Sequence, residues 1–278
     1  MNTMDFQLFS EIVHARSGLV LTEEKVYLLE SRLVPLARRR GLDSLEDLGN
    51  EVRRHKDERL MTEITEAMTT NETFFFRDNK PFEAFKNVVL PQLLQSRAAK
   101  KSLRILNAAC STGQEPYSLA MLLKEEAAKM AGWRVEIMAT DISNDVLEKA
   151  KAGLYSQFEV QRGLSIQLLV KYFQQIGEMW QIDSSIRAMV KFQNKNLLDD
   201  SSALGQFDVI FCRNVLIYFD QKTKIKVLGS LHNILVEDGA LFLGGAETVL
   251  GICDDFKPVD GQRGVYTSVT GGLMAATG

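Results

Sequence analysis

The chain is sparing with the residues that build cross-linked or metal-bound proteins. It has three cysteines, Cys110, Cys212 and Cys253, widely spaced and odd in number, with no C-x-x-C pair. Neither a disulfide framework nor a zinc site is indicated. Its three histidines, His14, His55 and His232, are isolated and show no ligand spacing, so no metal is expected. No apolar run is long enough to span a bilayer. The opening MNTMDFQLFSEIV lacks the basic start and apolar core of a secretory leader. The expectation is a cytoplasmic protein without direct membrane insertion. A net charge of −3 argues against a nucleic-acid binder held by a broadly basic face. The three-glycine pattern G-x-G-x-x-G is missing as well, which removes the NAD-dependent dehydrogenases.

What is present is an ordinary globular composition, 45% hydrophobic and 25% charged over 278 residues. Up to about residue 70 the chain reads as helices. DFQLFSEIVHARSG sets Phe6, Phe9, Ile12 and Val13 on one face and can end at Gly18. TEEKVYLLESRLVPLARRRG has Thr22 as the expected N-cap, two acids in its first turn, and three arginines and Gly41 at its end. Pro35 is expected to kink or break it. Ser44 and Asp47 are close to a capping box for the next helix, and DERLMTEITEAMT is a further amphipathic stretch. Residues 1–70 are thus expected to form an all-helical domain, followed by a linker and active-site lip at 71–98. That linker opens on TTNETFFFR, whose adjacent Phe74, Phe75 and Phe76 cannot all face one way.

From 99 to 270 strands and helices alternate: SLRILNAAC, EPYSLAMLLKEEAAKM, WRVEIMATDIS, NDVLEKAKAG, FDVIFCRNVL, QKTKIKVLGSLHNILVEDG ending at Gly239, then ALFLGGAE. This order indicates an α/β fold with a parallel, doubly wound sheet. The segment before FDVIFCRNVL is too long for a simple connection, and EMWQIDSSIRAMVKFQ alternates as a hairpin does. Residues 154–192 are therefore expected to form a small antiparallel inserted subdomain, and 271–278 a disordered tail.

In such a sheet, ligands bind beyond the carboxyl ends of the strands. NAACSTGQEPYS offers small residues, one glycine (Gly113) and a helix N-terminus. It suits a nucleoside without pyrophosphate, or is simply a tight turn. Asp141 after the second strand can accept from ribose hydroxyls or cap the next helix. Arg213, Asn214 and Tyr218 after the third strand can line a substrate pocket or form a solvated loop. No N-P-P-Y or D-P-P-Y occurs, which lowers the weight of transfer to exocyclic amines.

TTNETFFFR, STGQEPYS, ATDIS, NLL, FDVIFCRNVLIYF and FKPVDGQRGVYT together resemble the chemotaxis receptor glutamate methyltransferase family, the CheR type, over about residues 5–270. The resemblance implies a Rossmann-like S-adenosylmethionine methyltransferase that converts chemoreceptor glutamates to methyl esters, leaving S-adenosylhomocysteine. It implies recruitment to membrane receptor arrays. By the family's motifs, the cofactor residues are Asn71, Thr73, Arg77, Glu115, Asp141, Asn196, Leu197, Arg213 and Asn214, with Arg77 and Tyr218 catalytic. Arg77 and Arg213 are the candidates for anchoring carboxylates, of the cofactor or of the incoming glutamate. The partner is the acidic methylation helices of receptors. Arg32, Arg38 and Arg39, with Lys25 and Arg40, form either a basic docking face for them or a helix end that complements the macrodipole. The turn QQIGEMWQ has only Gly177 and lacks the glycine-rich turn of members that bind a receptor-terminal tether peptide, so tethering is not expected. The alternatives are an S-adenosylmethionine enzyme of another substrate class and a non-catalytic cofactor-binding scaffold.

Overall fold

The structure, a computed structural model, describes residues 3–55 and 57–272. The chain divides into two units: Met1–Thr70 with Tyr218–Thr223, and Asn71–Ile217 with Lys224–Gly278.

The first unit is helical. Helices α1 (Thr3–Ser17), α2 (Val26–Arg39), α3 (Leu45–His55) and α4 (Glu58–Met68) surround a core that includes Phe9, Val13, Leu29, Leu33, Leu48, Leu60 and Ile64. Helix α1 ends at Gly18, which has φ +76° and donates its N–H to the His14 carbonyl at 2.8 Å. Ser44 caps α3 by accepting from the Asp47 N–H at 3.1 Å, and Asp57 caps α4 by accepting from the Arg59 N–H at 2.9 Å. Two expectations are refined here. Thr22 makes no side-chain cap; it opens a short 3₁₀ turn, Glu23–Lys25, that precedes α2. Pro35 does not break α2, which runs through it. The proline is exposed, while Leu29, Leu33, Leu36 and Ala37 are buried, and that burial holds the helix against the loss of one backbone bond.

The second unit is α/β. It opens with α5 (Lys80–Ala84), a π turn at Phe85–Val89 and α6 (Leu90–Ser96). Phe82, Phe85, Val89, Leu90 and Leu93 share one buried core with Ile105, Val209 and Phe211 of the sheet. The expected linker is therefore a structural layer from residue 80 onward, because its apolar positions recur at helical spacing. Strand β1 (Ser102–Ala108), helix α7 (Gln114–Glu125), strand β2 (Arg134–Asp141) and helix α8 (Asn144–Ala152) follow. The inserted piece comprises β3 (Leu154–Ser156), α9 (Gln157–Gln161), α10 (Ile166–Tyr172), β4 (Phe173–Ile176) and β5 (Met179–Ile182), its strands antiparallel in the order β3-β5-β4. After α11 (Ser184–Arg187), strand β6 (Val190–Asn194) pairs in parallel with β2, Val190 opposite Ile137. The reading of residues up to 192 as insert thus overran: α11 carries the chain back to the edge of the main sheet.

Strand β7 (Phe207–Cys212), helix α12 (Gln221–Ile234), and strands β8 (Leu235–Leu243), β9 (Phe256–Val259) and β10 (Gln262–Ser268) complete a seven-stranded sheet of order β6-β2-β1-β7-β8-β10-β9. β10 is antiparallel to both β8 and β9, and the other pairings are parallel. The buried runs of β7 and β8 fit strands covered on both faces. Helix α12 stops at Ile234, not at Gly239, which lies inside β8 where the register with β7 shifts. A Cβ at Gly239 would lie 2.9 Å from the Asp208 carbonyl oxygen, so this glycine serves close strand packing rather than helix termination. Gly271 packs so closely that an added Cβ would overlap the Glu237 carbonyl oxygen. The rest of the tail expected to be disordered, 273–278, lies outside the described residues.

Candidate active site

Strand β1 has β2 on one side and β7 on the other, and the chain winds outward in both directions from there. This is the topological switch point, where a crevice opens beyond the strand ends. The loops at that edge are strained. Seven non-glycine residues among those described have positive φ, and six of them (Phe76, Asp78, Asn79, Ala109, Ser111 and Asn214) lie in the segments 71–79, 109–113 and 213–217. Backbone held in sparsely populated regions costs about 1–3 kcal/mol per residue and persists where the surroundings enforce it.

The loop after β1 is enforced from several sides. Ser111 donates its N–H to Asp141 Oδ2 at 2.8 Å and its hydroxyl to the Asn71 carbonyl at 2.8 Å. The buried Tyr155 of β3 donates its hydroxyl to the Thr112 carbonyl at 2.8 Å, so the insert supports this loop. Gly113 has φ +94°, and an added Cβ would lie 3.0 Å from Ala150 Cβ and 3.1 Å from the Tyr117 ring. Both conformation and space demand glycine. Asp141 also accepts from the Ser143 N–H at 3.0 Å, which orders the start of α8 through a short turn rather than through a side-chain helix cap. Burial, then the charge of Asp141, pushes the Cys110 thiol up, so this cysteine is a neutral wall residue and not a nucleophile.

A buried polar chain crosses from β1 to β7. Asn107 Nδ2 donates to Glu115 Oε1 at 2.7 Å, Glu115 is ion-paired to Arg213, and Arg213 donates to Asp78 Oδ2 at 2.7 Å and to the Arg77 carbonyl at 3.0 Å. The Arg213 guanidinium also lies 5.9 Å from the Phe82 ring centroid. This limits the expectation that Arg213 anchors a ligand carboxylate, because two of its nitrogens already hold protein carboxylates. Its buried Nε has no hydrogen-bond partner among the described residues, and neither has Asn107 Oδ1. Asn214, at φ +60°, donates its N–H to Glu247 Oε2 at 2.8 Å. Glu247 is buried and also accepts from the N–H groups of Val215, Leu216, Ile217 and Gly244. Neither Asp78 nor Glu247 is among the site residues read from the sequence. Glu247 is the last residue of ALFLGGAE, the fourth strand of the sequence reading, and that strand's end was the overlooked signal. Asn196 and Leu197 lie in the loop after β6, where the Lys195 N–H bonds the Asp141 carbonyl at 2.9 Å. The Asn196 side chain accepts from the Leu198 N–H at 3.0 Å.

The TTNETFFFR segment divides residue by residue. Phe75 is fully buried, with edge contacts to Tyr155 at 5.1 Å and Phe173 at 5.5 Å between centroids. Phe76 packs on Phe82 at 5.2 Å, and its N–H donates to Ser118 Oγ at 2.9 Å. Phe74 is half-buried between two guanidinium groups, Arg162 at 4.4 Å and Arg77 at 5.5 Å from its ring centroid. Arg77 donates to the Glu72 carbonyl at 2.8 Å, and Arg162 pairs with the Glu72 carboxylate at 2.7 Å. Thr73 and Asn71 are half-buried in the same stretch.

Tyr218 belongs with the helical unit, packs against that unit's core, and accepts the Val20 N–H on its carbonyl at 3.0 Å. Within the helical unit the basic group also separates. Arg32 donates to the Met68 and Thr69 carbonyls at 2.6 and 2.9 Å, finishing α4 instead of facing a partner. Arg40 is bidentate with Glu63 at 2.9 Å, holding that carboxyl below its usual range. Arg38 and Arg39 are exposed, on a stripe of α2 shared with Tyr27, Ser31 and Pro35.

The strand-end crevice, the acid after β2, the tight small-residue loop and the buried unpartnered Arg213 Nε fit a nucleoside ligand with a charged amino-acid end, as S-adenosylmethionine is. No group of three or more His, Cys, Asp or Glu among the described residues is placed to hold a metal. Fold and crevice are those of the Rossmann-like, S-adenosylmethionine-dependent methyltransferases. Residues 71–265 match the family model described as CheR methyltransferase, SAM binding domain, and residues 4–69 match CheR methyltransferase, all-alpha domain. The chain belongs to the CheR methyltransferase family, and S-adenosylmethionine is its cofactor. It is 39% identical to chemotaxis protein methyltransferase Cher2 of Pseudomonas putida and 41% identical to chemotaxis protein methyltransferase 1 of Pseudomonas aeruginosa, each over 94% of this chain and 96% of the relative. It is 33% identical to the chemotaxis protein methyltransferase of Salmonella typhimurium, over 91% of this chain and 86% of the relative.

Proposed function

We propose that the chain transfers methyl groups from S-adenosylmethionine to glutamate side chains on the cytoplasmic methylation helices of chemoreceptors, acting in the cytoplasm at receptor arrays. The observation that carries this reading is that both parts of the chain match chemotaxis methyltransferases, the helical part at 4–69 included. A general small-molecule methyltransferase has no need of that part.

The cofactor supplies a methyl group on a cationic sulfur. A glutamate acceptor, with a reference pKa of about 4.3, is already an anion at neutral pH, so no general base is required. Attack cancels charge, and water, which stabilises the separated charges, opposes it. The protein's task is alignment and exclusion of water, and a crevice of hydrogen-bonding residues without a base–nucleophile pair suits that task. Asp141 would accept from the ribose hydroxyls, with Asn196 and Leu197 on the β6 side of it. The Asn107–Glu115–Arg213 chain and Asn214 would hold the amino-acid end on the β7 side. Asn71, Thr73 and Arg77 would line the crevice, with Arg77 oriented by Phe74 and Glu72. Tyr218, four residues after Asn214 in the chain, would orient the acceptor carboxylate.

For docking, the exposed α2 stripe ending in Arg38 and Arg39 would meet acidic receptor helices, without Arg32, which is committed to α4. Docking through a receptor-terminal tether peptide is not proposed. Peptide mass spectrometry of a receptor cytoplasmic fragment after incubation with the chain and S-adenosylmethionine tests the reading. Methylated glutamates are expected. Methylation confined to lysine, glutamine or the chain terminus, or none at all, would overturn it.

A further inference from the structure

We infer that Glu247 is a positioning residue for the cofactor site, holding the loop after β7 in the one shape that presents Arg213 and Asn214 to the ligand. The inference rests on the assignment of those two residues to the site. Glu247 gathers five backbone donors: Asn214 at 2.8 Å, Val215 at 2.9 Å, Leu216 at 2.7 Å, Ile217 at 3.3 Å and Gly244 at 2.6 Å. Four of these are consecutive amides, which converge on one point only if the chain curls tightly, and Asn214 adopts φ +60° to allow it. The curl is packed from behind: a Cβ at Gly244 would lie 2.7 Å from Glu247 Oε2 and 2.9 Å from the Asn214 nitrogen. A buried anion that accepts several N–H bonds is strongly held, and removing its charge leaves donors facing a group that cannot satisfy them all. The ligand-facing residues are thus set by a carboxylate that the chain supplies from the next strand's end.

Glu247→Gln keeps the shape but replaces one acceptor oxygen with a donor. Calorimetric titration with S-adenosylhomocysteine, well below the unfolding midpoint, is expected to show affinity at least about tenfold weaker than wild type. Glu247→Asp, which keeps the charge with a shorter reach, should fall between the two. Asp208→Asn is the control for a purely structural carboxylate. Asp208 is also buried, at the opposite end of β7, where it accepts the Arg104 N–H at 2.7 Å and Arg97 Nε at 2.9 Å. It should lower the unfolding midpoint without weakening ligand binding. Unchanged affinity in folded Glu247→Gln, while Asn214→Ala binds weakly, overturns the positioning role alone. Unchanged affinity in both variants overturns the site assignment and the inference with it. If Glu247→Gln does not fold, wild-type affinity in Glu247→Asp overturns the inference.

Discussion

At the scale of single residues, the site depends on side chains that fix backbone as much as on side chains that face a ligand. The Arg77 side chain donates to the Glu72 carbonyl and lies near the Phe74 ring, neither of which is a buried core contact. Arg77→Ala should therefore reduce receptor methylation at least about tenfold while leaving the unfolding midpoint nearly unchanged, as expected away from buried networks. A methylation assay paired with thermal unfolding checks both halves. Tyr218→Phe should slow turnover more than it weakens S-adenosylhomocysteine binding, a split that single-turnover rates and calorimetry would resolve. Gly113, Asp141 and Asn214 were open to proposal from the sequence because strand ends in an α/β chain are where ligands sit. Asp78 and Glu247 were not, since their roles come from bonds to Arg213 and to the 214–217 amides, 135 and about 30 residues away in sequence. The bonds of Arg32 were hidden for the same reason: its Met68 and Thr69 partners are distant in sequence.

At the scale of elements, the inserted subdomain is tied to the loop after β1 and to the segment at 71–77. Tyr155 holds the Thr112 carbonyl, Arg162 grips Glu72 and Phe74, and Gly163 lies against the Phe75 carbonyl. Gly163 has φ +84°, and an added Cβ would overlap that oxygen. Gly163→Ala should destabilise the protein by about 2 kcal/mol or more, through strain and overpacking together. A denaturant titration measures it, and a loss under about 0.5 kcal/mol, the range of neutral surface changes, would contradict this packing. Element types were readable from periodicity, from helix α7 to the runs of β1 and β7. Boundaries went astray where tertiary pairing decides. Val190–Asn194 looked like the second half of a hairpin until β2 claimed it, and Leu235–Gly239 looked helical until β7 did. Pro35 shows the converse, a local breaker overridden by a buried helix face.

At the scale of the whole molecule, several carboxylates are tied to cations or amides, and this sets the response to acid. Hydrogen bonds from Arg40 lower Glu63, those from Arg97 lower Asp238, and the Thr223 N–H above all lowers Asp220 to about 2. A carboxyl depressed on folding stabilises the native state above its unfolded pKa, and that stabilisation is lost as pH falls through the folded value. The unfolding midpoint should therefore be flat from neutrality to about pH 5 and decline below that, as unfolded carboxyls begin to protonate. A midpoint that rose on acidification would contradict these assignments. No helix among the described residues is long and apolar enough to cross a membrane. The most direct test of the proposed activity uses methyl-labelled S-adenosylmethionine and a receptor cytoplasmic fragment. A glutamate methyl ester predicts label on the receptor that mild alkali releases as volatile methanol. Label that survives alkali, or no transfer by protein that binds S-adenosylhomocysteine, would contradict it.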